Sequence, residues 1–199
     1  MFQLSVISDL IRISPHIFNL PTDEAVLNEL NEKYANKVIH NLGLVVTIWD
    51  ISKIEDGMLK PGDGCTYIKV VFRCVVWKPF VGEVLTGWID QASEQGLKVK
   101  LEFFNDIFIP GDYLFEGSVF SKEDNAWIWQ PDESTKLYLD VNEKINFRVE
   151  EEMFTNVKPK GPTNTVVDDE TGEKKESVPP YAIVGSCQTD GMGCVSWWE

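Results

Sequence analysis

The run Cys65-Thr66-Tyr67-Ile68-Lys69-Val70-Val71-Phe72-Arg73-Cys74-Val75-Val76-Trp77 decides how the first part of the chain folds. Read with period two, it puts Ile68, Val70, Phe72, Cys74 and Val76 on one side and Tyr67, Lys69, Val71, Arg73 and Val75 on the other. The first face is wholly apolar, so another layer must cover it. Upstream, Leu44 to Ile51 is rich in β-branched and aromatic residues, Phe2 to Val6 alternates, and Leu10 to Ile13 adds an apolar run, all strand material. The covering layer is a helix over Glu24 to Asn36, where Leu27, Leu30 and Tyr34, with Val26 and Ala35, recur at helical spacing. Thr22 or Asp23 is placed to cap its first turn. One helix on an antiparallel sheet makes an α+β unit over residues 1–78. Within it, Gly57-Met58-Leu59-Lys60-Pro61-Gly62-Asp63-Gly64 predicts a protruding loop, since glycines and a proline favour turns.

The second part carries no comparable helix. Gly82 to Ile89, Gly96 to Phe103, Asp106 to Pro110 and Glu143 to Phe154 are short strand candidates, in the order expected of an OB-fold β-barrel. Residues 79–157 are assigned to this barrel, with an acidic insertion over 112–135 that contains Trp127-Ile128-Trp129. Lys158 to Pro180, rich in proline and charge, reads as a flexible linker, and 181–199 as a C-terminal segment. Trp197 and Trp198 are too apolar for water and should pack back on the body or enter a partner.

Composition limits the chemistry. The chain has 199 residues, 32 acidic against 18 basic, for a net charge of −14. Residues 1–78 hold 8 basic and 9 acidic side chains, whereas 79–157 hold 6 and 16. Phosphate-dependent binding needs a basic surface, so a free-standing, tight nucleic-acid binder is disfavoured. No apolar run reaches the length of a spanning helix, no membrane partner is expected, and the start shows neither a basic leader nor a cleavage site. Cys65, Cys74, Cys187 and Cys194 form no Cys-x-x-Cys pair, which favours reduced thiols over a zinc site. His16 and His40 sit in loop or turn positions that suit structural or solvated roles. Gly62-Asp63-Gly64 lacks the Gly-Lys-Ser/Thr of a phosphate loop and precedes a strand rather than a helix. No catalytic residue, cofactor or metal site is expected.

Several blocks, in order, resemble one family: Lys37 to Leu44, Leu59 to Gly64, Phe80 to Val84 and Leu137 to Ile145, with the ending Gly185 to Trp198. They are similar to the larger subunit of the two-protein stalk of eukaryotic and archaeal RNA polymerases, in its RNA polymerase III form. The resemblance implies a tip domain that plugs into the polymerase core, followed by an OB-fold of RNA-binding kind. It also implies a heterodimer with the smaller stalk subunit, a nuclear location, work with initiation factors on small RNA genes (tRNA, 5S rRNA), and closeness to nascent single-stranded RNA. On that basis Leu59, Lys60, Pro61, Gly62, Asp63 and Gly64 are the candidate core-docking loop. For RNA, Lys98 and Lys100 lie on one strand near Trp88, Phe103, Phe104 and Phe108, although most of these aromatics also suit a barrel interior. The candidate contacts are Lys98, Lys100, Trp88 and Phe104, in a contact that is weak and dependent on tethering. The alternative is a stand-alone OB-fold RNA-binding protein of translation or RNA processing.

Overall fold

The run that opens the sequence reading forms a single strand at the centre of a sheet. A computed structural model describes residues 1–132, 135–156 and 178–198 and divides the chain into two units, Met1–Pro79 and Phe80–Glu199. The first contains β1 (Phe2–Ile13), α1 (Thr22–Tyr34), β2 (Lys37–Ile39), β3 (Gly43–Ile54), β4 (Met58–Leu59) and β5 (Thr66–Trp77). Its sheet order is β1-β5-β3-β2, with β4 also on β5 and every pairing antiparallel. β1 follows β5 without a slip, from Phe2 opposite Trp77 to Ile13 opposite Thr66.

β3 behaves differently. Its register with β5 shifts between Val45 and Thr47, between Ile48 and Asp50, and between Ile51 and Lys53. Each bulge adds one residue, so the side chains that reach the core are Val45, Ile48, Ile51 and Ile54, one in three rather than one in two. Trp49 is left outside, 62% exposed.

Helix α1 lies on the apolar face of β5 and buries Ala25, Val26 and Leu30 against Val70, Phe72 and Val76. Leu27, expected in the apolar stripe, stands at its exposed margin. The expected cap also differs: Pro21 occupies the N-cap, and Thr22 and Asp23 lie inside the helix with no side-chain capping bond. Asp23 and Glu24 still suit the positive end of the helix dipole. At the other end Asn36 takes a left-handed conformation (φ 56°) and donates its N–H to the Val45 carbonyl at 2.8 Å. The helix is tied to β1 by Asp9, whose carboxylate accepts Lys33 Nζ at 2.5 Å and the Tyr34 hydroxyl at 2.6 Å. Burial alone would raise the Asp9 pKa, but the bonds from Lys33 and Tyr34 outweigh it and hold the group below the ordinary carboxylate value.

The second unit contains β6 (Val84–Ser93), β7 (Gly96–Lys100), β8 (Ile107–Pro110), β9 (Val119–Ser121), β10 (Ala126–Asp132), β11 (Thr135–Leu139), β12 (Lys144–Phe154), β13 (Tyr181–Ser186) and β14 (Gly193–Cys194). Five of these close a barrel in the order β6-β7-β8-β13-β12 and back to β6. All pairs are antiparallel except β8 with β13. Ile89, Leu97, Val99, Ile107, Ile109, Ile145, Phe147, Val149 and Ile183 fill the interior. Gly96 permits the β7 to β8 crossing: at φ +151°, a Cβ would stand 2.1 Å from the Ile109 carbonyl oxygen.

The boundary expected at residue 157 is corrected by this topology. The fifth barrel strand is β13, so residues 181–186 belong to the barrel and are not an appendage. The connection from β8 to its parallel partner β13 runs through β9 to β12, and the expected linker joins the antiparallel pair β12 and β13. Most of the expected linker, residues 158–177, lies outside the described residues.

The acidic insertion folds as a three-stranded sheet, β11-β10-β9. Trp127 Nε1 donates to the Ser93 carbonyl at 2.9 Å, and Trp129 stacks on Phe115 with ring centroids 4.1 Å apart. Trp197 joins that stack at 5.7 Å from Trp129, while Trp198 stays half-exposed with its Nε1 on the Met192 carbonyl.

Leu30→Ala should lower the unfolding free energy of the first unit by about 2–5 kcal/mol, and Leu27→Ala by less than about 1 kcal/mol, in equilibrium urea denaturation. Because the folded Asp9 pKa is depressed, its contribution is complete above its unfolded value of about 3.9 and lost as pH falls through the lower folded value. Denaturation midpoints measured down to pH 2 should therefore fall less steeply for Asp9→Asn than for the unmodified chain.

Candidate functional site

The turn between β4 and β5 is fastened by hydrogen bonds, and β4 beside it is apolar and exposed. Gly62 (φ 85°) and Gly64 (φ 69°) turn the chain, and Asp63 N–H donates to the Lys60 carbonyl at 3.3 Å. The Asp63 carboxylate accepts the Tyr67 hydroxyl, and Arg12 Nη2 at 3.2 Å. These bonds, Tyr67 first and then Arg12, hold its carboxyl below the ordinary range. The loop is thereby fastened to β5 and to the end of β1. Before the turn, in β4 and paired with Tyr67 and Thr66 of β5, Met58 is 63% and Leu59 72% exposed, and Lys60 and Pro61 in the turn itself are also in solvent. Exposed apolar side chains beside a fastened turn are suited to insertion into a protein pocket.

The other candidate residues lie on the barrel. Alternation along β6 and β7 turns Trp88, Lys98 and Lys100 outward, opposite in direction to Ile89, Leu97 and Val99. Lys100 and Lys144 are the direct cross-strand neighbours of Trp88, one on each side. Lys144 Nζ stands 5.7 Å from the Trp88 ring centroid, and Lys100 Nζ is paired with Asp90 Oδ1 at 2.7 Å. Lys98 lies opposite Phe108, which is 37% exposed. Beside Lys98 and Phe108 runs an open groove of about 1070 Å³ that also includes Glu94, Gln95 and Asp106.

Phe104 is corrected. It is only 6% exposed and packs at a tilt on Tyr181, ring centroids 5.6 Å apart. Its carbonyl accepts the Leu101 N–H at 2.7 Å, and the turn that this bond closes sends the ring inward. Three of the four candidates thus share the outer face and the fourth does not. Sequence reading missed Lys144, more than fifty positions from Trp88. The available signal was the alternation of Ile145, Phe147 and Val149, which turns Lys144 outward. Phe108 was among the nearby aromatics but was not selected.

This outer face is close to electrically balanced, with Lys98, Lys100 and Lys144 among Asp90, Glu94 and Asp106. It offers stacking with little net attraction for phosphate. The four cysteines are free and buried, and burial pushes the Cys187 thiol up to about 12. Among the described residues, no group of three or more His, Cys, Asp or Glu side chains is placed to hold a metal ion.

Comparison with known proteins covers both units. Residues 83–198 match the family model described as RNA polymerase III subunit Rpc25, and residues 8–64 match the SHS2 domain found in the N terminus of Rpb7p/Rpc25p/MJ0397. Over its whole length the chain is 52% identical to DNA-directed RNA polymerase III subunit RPC8 of Saccharomyces cerevisiae, all of which is covered. It is 45% identical to the Schizosaccharomyces pombe protein of the same name, again over all of both chains. It is 38% identical to that of Bos taurus, over all of this chain and 98% of the other. With both units matched in order and the full length aligned, the chain belongs to the RNA polymerase III subunit Rpc25 family.

Proposed function

We propose that this chain is the larger stalk subunit of nuclear DNA-directed RNA polymerase III, a non-catalytic subunit acting in initiation at small RNA genes together with initiation factors. The observation that carries this reading is the full-length identity to polymerase III subunits across two separate units. The first unit docks on the polymerase core through Leu59, Lys60, Pro61, Gly62, Asp63 and Gly64. Its support is the combination of the exposed apolar strand β4 with a turn whose Asp63 is held by Arg12 and Tyr67. The chain also pairs with the smaller stalk subunit. The barrel face of Trp88, Lys98, Lys100, Phe108 and Lys144 contacts emerging single-stranded RNA weakly, because attachment to the polymerase supplies the local concentration that its charge does not.

Leu59→Asp should reduce recovery of polymerase III core subunits with the affinity-tagged chain at least tenfold, while leaving its melting temperature and its recovery of the smaller stalk subunit unchanged. Recovery at the unsubstituted level contradicts the docking role. The purified stalk heterodimer should bind single-stranded RNA no tighter than micromolar in physiological salt. Trp88→Ala should weaken that binding by about 1–3 kcal/mol, as loss of a stacking platform does. Lys144→Glu should weaken it further and flatten its salt dependence. Nanomolar affinity would contradict a tethered contact.

A further inference from the structure

The two edges of the first sheet are treated differently. On the β3 side, β2 covers Gly43 to Val45, and beyond it three bulges break the line of the edge. Bulges are one of the ways in which proteins keep an edge from pairing with another chain. Among the described residues, no bulge or covering strand is present on the β1 side. β1 runs through twelve residues without a slip, and among the described residues it pairs with β5 alone.

Antiparallel geometry shows which groups this edge offers. The Met1 carbonyl accepts the Lys78 N–H at 3.0 Å, which places the opposed residues Met1 and Lys78 in a hydrogen-bonded pair. Pairs of this kind alternate along a ladder. Gln3, Ser5, Ile7, Asp9 and Ile11 therefore turn their main-chain groups toward β5, and Leu4, Val6, Ser8, Leu10 and Arg12 turn theirs outward. The side chains divide in the same way. Ile7 and Ile11 pack with the core under α1, while Leu4, Val6 and Leu10 stand about half or more exposed on the opposite face. From Leu4 to Leu10 the outward strip carries no charge. It ends on Arg12, with Lys69 opposite Leu10, and Arg12 is itself the anchor of the docking loop through Asp63.

We infer that the free edge of β1 from Leu4 to Arg12 is a strand-addition site for an extended segment of another polypeptide of the polymerase, apolar at alternate positions where it covers Leu4, Val6 and Leu10. The inference rests on the proposed function, since the occupant is a polymerase component. Main-chain groups supply the pairing, and alternate apolar side chains would cover Leu4, Val6 and Leu10. The strip and the docking loop are continuous through Arg12.

Residue-resolved hydrogen exchange by mass spectrometry tests this on the isolated chain and on the chain within purified polymerase III. The amides of Val6, Ser8 and Leu10 should exchange rapidly in the isolated chain and at least tenfold more slowly in the polymerase, whereas those of Ile7 and Asp9 should be slow in both. A chain that enters the polymerase but keeps fast amides at Val6, Ser8 and Leu10 overturns strand addition and leaves the functional reading intact. Failure to enter the polymerase overturns both. Slow outward amides in an isolated chain of dimeric mass overturn the inference in favour of a second copy of this chain. Ser8→Pro provides an independent arm, because it removes an outward N–H without touching the β5 ladder, and edge strands accept proline at such positions. Ser8→Pro should fold and lose at least tenfold in polymerase recovery while Ser8→Ala does not, and recovery of Ser8→Pro at the unsubstituted level overturns the inference. If Ser8→Pro does not fold, the exchange rates in the unsubstituted chain decide.

Discussion

The side chains of β5 can face only two ways, and the first unit is organised by that restriction. The face with Val70, Phe72 and Val76 is buried by α1 through Ala25, Val26 and Leu30. Burial of apolar side chains of this size is worth about 1.5–3 kcal/mol each, so the helix is held chiefly by packing. Its ion contact, Lys33 and Tyr34 with Asp9, sets where the helix ends on β1. The same strand also positions the loop, because Tyr67, at its start, holds Asp63. A loop of two positive-φ glycines would otherwise be free to sample many conformations. The anchor holds the turn beside β4, where Met58 and Leu59 are exposed.

In the second unit the governing requirement is closure. A five-stranded sheet becomes a barrel only when β13 pairs with β12 on one side and β8 on the other. Closure sorts side chains into an apolar interior and an outer face, and it brings Lys144 from β12 next to Trp88 on β6. The strongly acidic composition does not translate into a strongly acidic outer face at this place, because Asp90 is neutralised by Lys100. A balanced surface with a half-buried, outward-facing tryptophan and an exposed phenylalanine suits transient stacking better than phosphate-driven capture. The insertion sheet and Trp197 form a separate aromatic cluster with Phe115.

Much of this was legible in the sequence because period-two and helical patterns report burial directly. The apolar face of Cys65 to Trp77, the single helix and the glycine-rich loop all follow from such patterns. β3 was less legible: bulges convert its spacing to one in three, and Val45, Ile48, Ile51 and Ile54 make sense only once those bulges are known. The fifth barrel strand was hidden for a different reason. β13 pairs antiparallel with β12, but the chain between them is a charged, proline-rich stretch with no short turn signal of a hairpin, so 181–199 reads only as a C-terminal segment that packs back on the body. Phe104 shows the limit of proximity in sequence, since its position near Lys100 says nothing about whether a turn sends the ring in or out.

A chain of this family works as a built-in part of a polymerase rather than alone. The most direct measurement is the subunit composition and stoichiometry, by quantitative mass spectrometry, of the native complex recovered from nuclear extract with the tagged, unsubstituted chain. The account predicts one copy of the chain per complex, with the large polymerase III subunits and the smaller stalk subunit in equal amounts. Recovery of the chain free, or with ribosomal or RNA-processing proteins in place of polymerase III, would contradict it.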